Sequence, residues 1–206
     1  MSPRQRVIDI SYRLGLSHIG SCLTALPIIE AVYELKKPND SFILSSGHAA
    51  LALYCVIEAN GGRNAEEIFH HHGVHPDRCK DCGLEYSAGS LGQGLPAAVG
   101  MALADRSKQV YCLISDGECA EGSVFESLRI AGELELDNLT VLVNANGTSA
   151  LGEIDVERLE WRIQAFMKGD YPRVSFVRTK TDTNIIKGIE GHYHKLTEDE
   201  WKELMK

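Results

Sequence analysis

Apolar residues recur at helical spacing over residues 3–15, through Val7, Ile8, Ile10 and Leu14, and Gly15 closes the run. A second helix is predicted over 24–36, where Ala25, Ile28, Val32 and Leu35 share a face. Thr24 is its candidate N-cap, and Pro27 falls in the first turn, where a missing N–H costs little. Phe42-Ile43-Leu44 is a short strand, and 48–59 returns to helical pattern before Gly61-Gly62. From 70 to 92 the chain is rich in His, Gly, Cys and Ser without a period, so a long loop is expected there. Loops of that length in compact domains tend to be functional. Beyond it, helices fit 93–105, 121–135 and 155–167, and strands fit 110–114, 139–144 and 173–178. Near the end, Thr197 and Glu200 have the spacing of a capping box.

Strands alternating with helices predict an α/β fold: an open, mostly parallel sheet with helices on both faces, residues 1–206 forming a single domain. In such sheets ligands bind beyond the carboxyl ends of the strands. That directs attention to Ser115-Asp116-Gly117, just after Ile114, and to Asn144-Ala145-Asn146, just after Val143. A carboxylate and an amide oxygen from neighbouring strand ends suit a hard cation such as Mg²⁺ (or Ca²⁺), which takes oxygen ligands and shares its shell with phosphate and water. Gly117, lacking a Cβ, lets the backbone approach a phosphate, and the start of helix 121–135 adds a dipole favourable to an anion. On spacing alone, both segments also read as ordinary turns.

The net charge of −8 opposes general binding to nucleic acid or anionic membrane, so an anionic ligand would need local donors or a metal. The N-terminus has no signal-peptide core and no apolar run is long enough to span a bilayer, which makes the cytoplasm the expected location. The six cysteines read as free thiols rather than a disulfide framework, with Cys55 and Cys112 as small core residues. Cys79 and Cys82, beside His70-His71-His72 and His75, hold the donor types of a tetrahedral Zn²⁺ site. A single C-x-x-C is a weak signal, and a polar loop with incidental thiols is the expectation.

The stretch SDGECAEGSVFESLRIAGELELDNLTVLVNANG resembles the thiamine-diphosphate fingerprint, Gly-Asp-Gly followed at a fixed distance by Asn; here Asn146 lies thirty residues after Asp116. Glu121, Gly122 and Glu126 resemble the EG-x-x-x-E pattern of transketolases, especially their split, two-polypeptide forms. The resemblance continues in chain order through Ser17-His18-Ile19-Gly20-Ser21, Leu44-Ser45-Ser46-Gly47-His48, Val74-His75-Pro76, Gly89-Ser90-Leu91-Gly92-Gln93-Gly94 and His192-Tyr193. It implies a thiamine-diphosphate-binding fold and a Mg²⁺ site of Asp116, Asn146 and the Thr148 carbonyl. Gly117, His48 and His192 would contact the diphosphate, and Gly89 and Leu91 the aminopyrimidine. His18, His75 and His192 would face substrate, where imidazoles can move protons near neutral pH. Glu121 and Glu126 would lie at a subunit interface, linked to the glutamate that activates the cofactor.

Several positions depart from the family pattern. Ser115 stands where the first Gly is usual, Asn144 replaces a frequent Asp, and Val74 replaces a Gly. Thr179–Ile186 lacks the family's glycine pair. Between Asn146 and the strand at 173–178 the family has a helix, a strand and a second helix; this interval is too short for all three, so one helix–strand unit is expected to be missing. The half of a transketolase that binds the pyrimidine is expected to come from a separate chain. The resemblance therefore implies one component of a split enzyme moving a two-carbon ketol unit between sugars or sugar phosphates. It would work with a pyrimidine-binding C-terminal-half subunit, as a homodimer or heterotetramer. The alternative is a degenerate, non-catalytic or regulatory relative.

Overall fold

The computed structural model describes residues 1–167, 169–181, 185–186 and 188–206. Helices α1 (Pro3–Arg13) and α2 (Ile19–Leu35) lead into β1 (Ser41–Leu44), followed by α3 (Ala50–Ala59), α4 (Ala65–His72) and α5 (Gly94–Ala104). Next come β2 (Val110–Ser115), α6 (Gly122–Glu133) and β3 (Leu139–Ala145), then a small hairpin of β4 (Thr148–Ser149) and β5 (Gly152–Glu153). The chain ends with α7 (Val156–Phe166), β6 (Arg173–Arg178), α8 (Gly188–Tyr193) and α9 (Glu198–Leu204).

The four main strands form a parallel sheet in the order β1-β2-β3-β6. Period-two alternation divides their side chains between two apolar cores. Phe42, Leu44 and Leu113 pack with α1, α2 and α3 on one face. Ile43, Cys112, Ile114, Val141 and Val143 pack with α5, α6 and α7 on the other. Helices therefore cover both faces, as the near-continuous apolar strands require. Register places the strand ends: Ser115 pairs with Asn144, so the segments leaving β2 and β3 emerge side by side.

Local signals explain most boundaries. Ser2 and Gln5 form a reciprocal capping box at α1, with Pro3 in its first turn, and Thr197 and Glu200 do the same at α9. The N-terminus of α2 differs from expectation. It starts at Ile19, and His18, in the left-handed region at φ 63°, is the N-cap without a side-chain capping bond. Thr24 is thus a buried interior residue, not a cap, and Pro27 lies well inside the helix. The region 70–92 is also more ordered than a plain loop, since α4 runs to His72 and a 3₁₀ turn covers Lys80–Cys82.

Between β3 and β6 the described residues contain the small hairpin and α7 but no further strand of the main sheet, and β6 pairs directly with β3. This is the layout expected after loss of one helix–strand unit. Of the divergent segment 179–186, residues 182–184 lie outside the described residues. No helix among the described residues is long and apolar enough to cross a membrane.

Leu113 is fully buried at the centre of the sheet. Leu113→Ala should lower unfolding free energy by about 2–5 kcal/mol, the range for deleting a core leucine. Urea denaturation measures this directly; a change within error would mean the site collapses around the gap.

Candidate functional site

A cleft of about 540 Å³ opens over the carboxyl ends of β1, β2 and β3, in the size range of small-ligand sites. Its lining brings together His18, His48, His75, Gly89, Leu91, Asp116, Gly117, Glu121, Asn146, Thr148 and His192. Glu126, on α6, is not among them.

Asp116 leaves the end of β2 and is almost wholly buried. Its Oδ1 accepts from Gly117 N–H at 2.9 Å and its Oδ2 from Gly147 N–H at 2.7 Å. No cationic side chain among the described residues pairs with it. Burial therefore raises its pKa to about 6, against the pull of those backbone donors. Across the sheet, Asn146 Oδ1 accepts from Thr148 N–H at 2.9 Å. Both oxygens keep lone pairs, and together they make a hard-donor set in need of positive charge.

Thr24 organises the amides behind this pair. Its Oγ1 accepts from Asn144 Nδ2 at 3.0 Å and from Asn146 Nδ2 at 3.4 Å, which turns the Asn146 oxygen away from α2. Asn144 Oδ1 accepts from Thr179 Oγ1 at 2.5 Å, so its amide is committed to linking α2 with the end of β6.

Glu118 plays a similar part for the loops. Fully buried, it accepts from Ser45 Oγ at 2.5 Å, Gly92 N–H at 3.0 Å and Ser115 N–H at 2.9 Å. Burial raises its pKa. One carboxyl group thereby joins the ends of β1 and β2 to the loop that carries Gly89 and Leu91. Gly92, at φ 74°, has to be glycine: a Cβ there would come within 2.6 Å of Glu121 Cβ.

Three imidazoles cluster in the same cleft. The ring centroids of His18 and His192 lie 4.4 Å apart, and those of His18 and His48 5.6 Å apart. Burial lowers the pKa of both His18 and His48 to about 4, assisted by the neighbouring imidazoles. Burial also lowers that of His192. The cluster is neutral at pH 7. His18 Nδ1 is buried without a hydrogen-bond partner among the described residues. Arg158 and Arg162, four residues apart on α7, complete the wall with positive charge.

Thr24, Glu118, Arg158 and Arg162 were not singled out as site residues by sequence. Glu118 follows Asp-Gly and reads as a turn residue. Only the i, i+4 spacing of Arg158 and Arg162 could have flagged the pair.

A family model described as transketolase, thiamine diphosphate binding domain, matches residues 4–192. Transketolase from Rattus norvegicus is 34% identical over 181 residues, covering 78% of this chain and 29% of that protein. One of the subunits of the apulose-4-phosphate transketolase of Phocaeicola vulgatus is 33% identical over 163 residues, covering 69% of this chain and 58% of its own length. A crystal structure of a Pichia stipitis transketolase variant has a TM-score of 0.86 at 23% identity, over 98% of this chain and 39% of that one, a likeness of fold. The chain spans less than two thirds of the length of each.

The neutral imidazoles generate a pH prediction. An unfolded histidine titrates near 6.5, whereas His48 is held at about 4. Between those values the unfolded chain binds more protons, so stability is full above 6.5 and falls as pH drops toward 4. The melting temperature should decline between pH 7 and pH 5, and less steeply in His48→Asn, measured by circular dichroism. Equal slopes for the two proteins would show that His48 is not held neutral by the fold.

Proposed function

This chain belongs to the transketolase family, and from that premise we propose that it is the thiamine-diphosphate and Mg²⁺-binding subunit of a split transketolase-like enzyme. With a separate pyrimidine-binding subunit it transfers a two-carbon ketol unit between sugars or sugar phosphates. The observation that carries this reading is the buried Asp116 carboxylate, without a cationic partner among the described residues, lining the same cleft as Asn146 from an adjacent strand end. That donor set fits a Mg²⁺ ion, which usually shares its shell with a bound phosphate group.

In this reading Asp116, Asn146 and the Thr148 carbonyl hold the metal. Gly117, His48 and His192 meet the diphosphate, and the arginines of α7 offset its charge. Gly89 and Leu91 face the aminopyrimidine from a loop anchored by Glu118. When bound, thiamine diphosphate supplies a thiazolium ring that stabilises carbanion character. The chain's own residues position the sugar and handle its protons. His18 and His192, neutral and in mutual contact at the cleft, can accept a hydroxyl proton. His75, exposed at the cleft, orients the far end of the sugar.

The partner is supported by two features. One relative, matched over 58% of its length, is itself named as a subunit. The cleft wall also includes Leu91 and Leu151, the latter 95% exposed, which is apolar surface suited to cover by another chain. Glu121, at the start of α6, and Glu126, within it, belong to that interface. The shortened connection between β3 and β6 favours a second reading, a regulatory relative that keeps the fold without turnover.

Calorimetric titration separates the two. Thiamine diphosphate should bind in the presence of Mg²⁺, and ketol transfer should appear only when the pyrimidine-binding subunit is added. No binding even with the partner present would sink the catalytic reading. Asp116→Asn keeps the acceptor for Gly147 N–H but removes the charge. It should weaken metal-dependent binding about 100-fold, the equivalent of about 3 kcal/mol for a charged ligand, with the fold retained.

A further inference from the structure

Away from the cleft, the fold brings a second set of ligand atoms together. Cys79 and Leu84 form an isolated antiparallel bridge with reciprocal bonds of 2.8 Å. The 3₁₀ turn Lys80–Cys82 and Gly83, at φ 74°, close the chain between them. This tight knuckle directs both sulfurs to one side, 2.7 Å apart. The last residue of α4 meets them there: His72 Nε2 is 3.4 Å from Cys82 Sγ. All three ligand atoms lie within 4.8 Å of one another. None of the three residues lines the cleft.

We infer that His72, Cys79 and Cys82 form a Zn²⁺ site that pins the end of α4 to the knuckle. Bond lengths to zinc of about 2.3 Å for sulfur and about 2.0 Å for nitrogen set tetrahedral edges of about 3.8 and 3.5 Å. The His72–Cys82 separation already matches its edge, and the two thiols have to part by only about 1 Å around the ion. Cys82 is 2% exposed and packs in the apolar core beside Leu84, so the site has a rigid seat. Arg63 Nη1 lies 3.9 Å from Cys82 Sγ and favours its thiolate. Binding releases the two thiol protons. The two thiolates then balance the ion's charge, and water takes the fourth position, since no fourth ligand joins the group among the described residues. A disulfide between the cysteines is the competing chemistry, but it would leave the converging His72 Nε2 without a role.

Such a site would stiffen a hairpin that reaches the cleft. Below the knuckle, Arg78 N–H donates to Ser87 Oγ at 2.7 Å and Ala88 N–H to the Pro76 carbonyl at 2.9 Å. At the hairpin's base, His75 and Gly89 lie against each other in the cleft wall.

The test uses the whole chain, purified under reducing conditions. Elemental analysis should find about one Zn²⁺ per chain, the stoichiometry of a single site. Co²⁺ exchanged into it should show thiolate-to-metal charge-transfer absorption and tetrahedral d–d bands. Hydrogen exchange over residues 76–88 should slow with metal and quicken with chelator. Cys79→Ser, Cys82→Ser and His72→Ala should each lose the Co²⁺ bands. A reduced, folded wild-type chain that binds neither metal overturns the proposal without any variant. So does metal retained in full after Cys79→Ser. Recovery of Cys79 and Cys82 as a disulfide, with no metal uptake after reduction, assigns the pair to redox chemistry instead.

Discussion

Asp116 carries a carboxylate with no cationic side chain to pair with among the described residues, so its charge depends on two peptide N–H groups and on the ligand that enters the cleft. A buried charge without a partner is costly, and a fold that keeps one does so for binding or chemistry. Much of the surrounding structure supports that group. Gly147 N–H reaches across from the end of β3, and Thr24 Oγ1 accepts from the Asn146 side-chain amide. Register makes the meeting possible: with Ser115 opposite Asn144, residues thirty apart in the chain become neighbours at the sheet's edge.

The same principle of buried polar bridges holds the loops over the strand ends. Glu118 ties the ends of β1 and β2 to the loop bearing Gly89 and Leu91, while Asn144 ties α2 to the end of β6. These residues touch neither metal nor sugar in the proposed reading; they set the positions of those that do. Neutral imidazoles line the cleft beside them. Positive charge comes instead from Arg158 and Arg162, on the helix that leads directly to β6.

Much of this was legible in the sequence, for physical reasons. Strand candidates such as Val110–Ile114 and 173–178, alternating with helices, pointed to a parallel sheet, and ligands gather where such strands end. Short elements were not legible. Helix α4 has only Ala65 and Ile68 buried, too few for a periodic signal, and the β4–β5 hairpin has two residues per strand. The start of α2 was hidden because His18 makes no side-chain capping bond, while Thr24 imitates a cap and serves the asparagines instead. The sequence brought Cys79 and Cys82 together with several histidines as donor types, but not which histidine converges on them, because His72 is the last residue of the short α4. Tertiary hydrogen bonds, as at Glu118, leave no local pattern to read.

In the proposed function, Asp116 and Asn146 together hold the metal of a metal-diphosphate site. Crystals grown with thiamine diphosphate and Mn²⁺ in place of Mg²⁺ would reveal that metal through its anomalous signal. A peak is expected between the Asp116 carboxylate and the Asn146 side-chain oxygen, within bonding distance of both. Ordered cofactor with no metal at that position, or metal bound only elsewhere, would contradict the assignment.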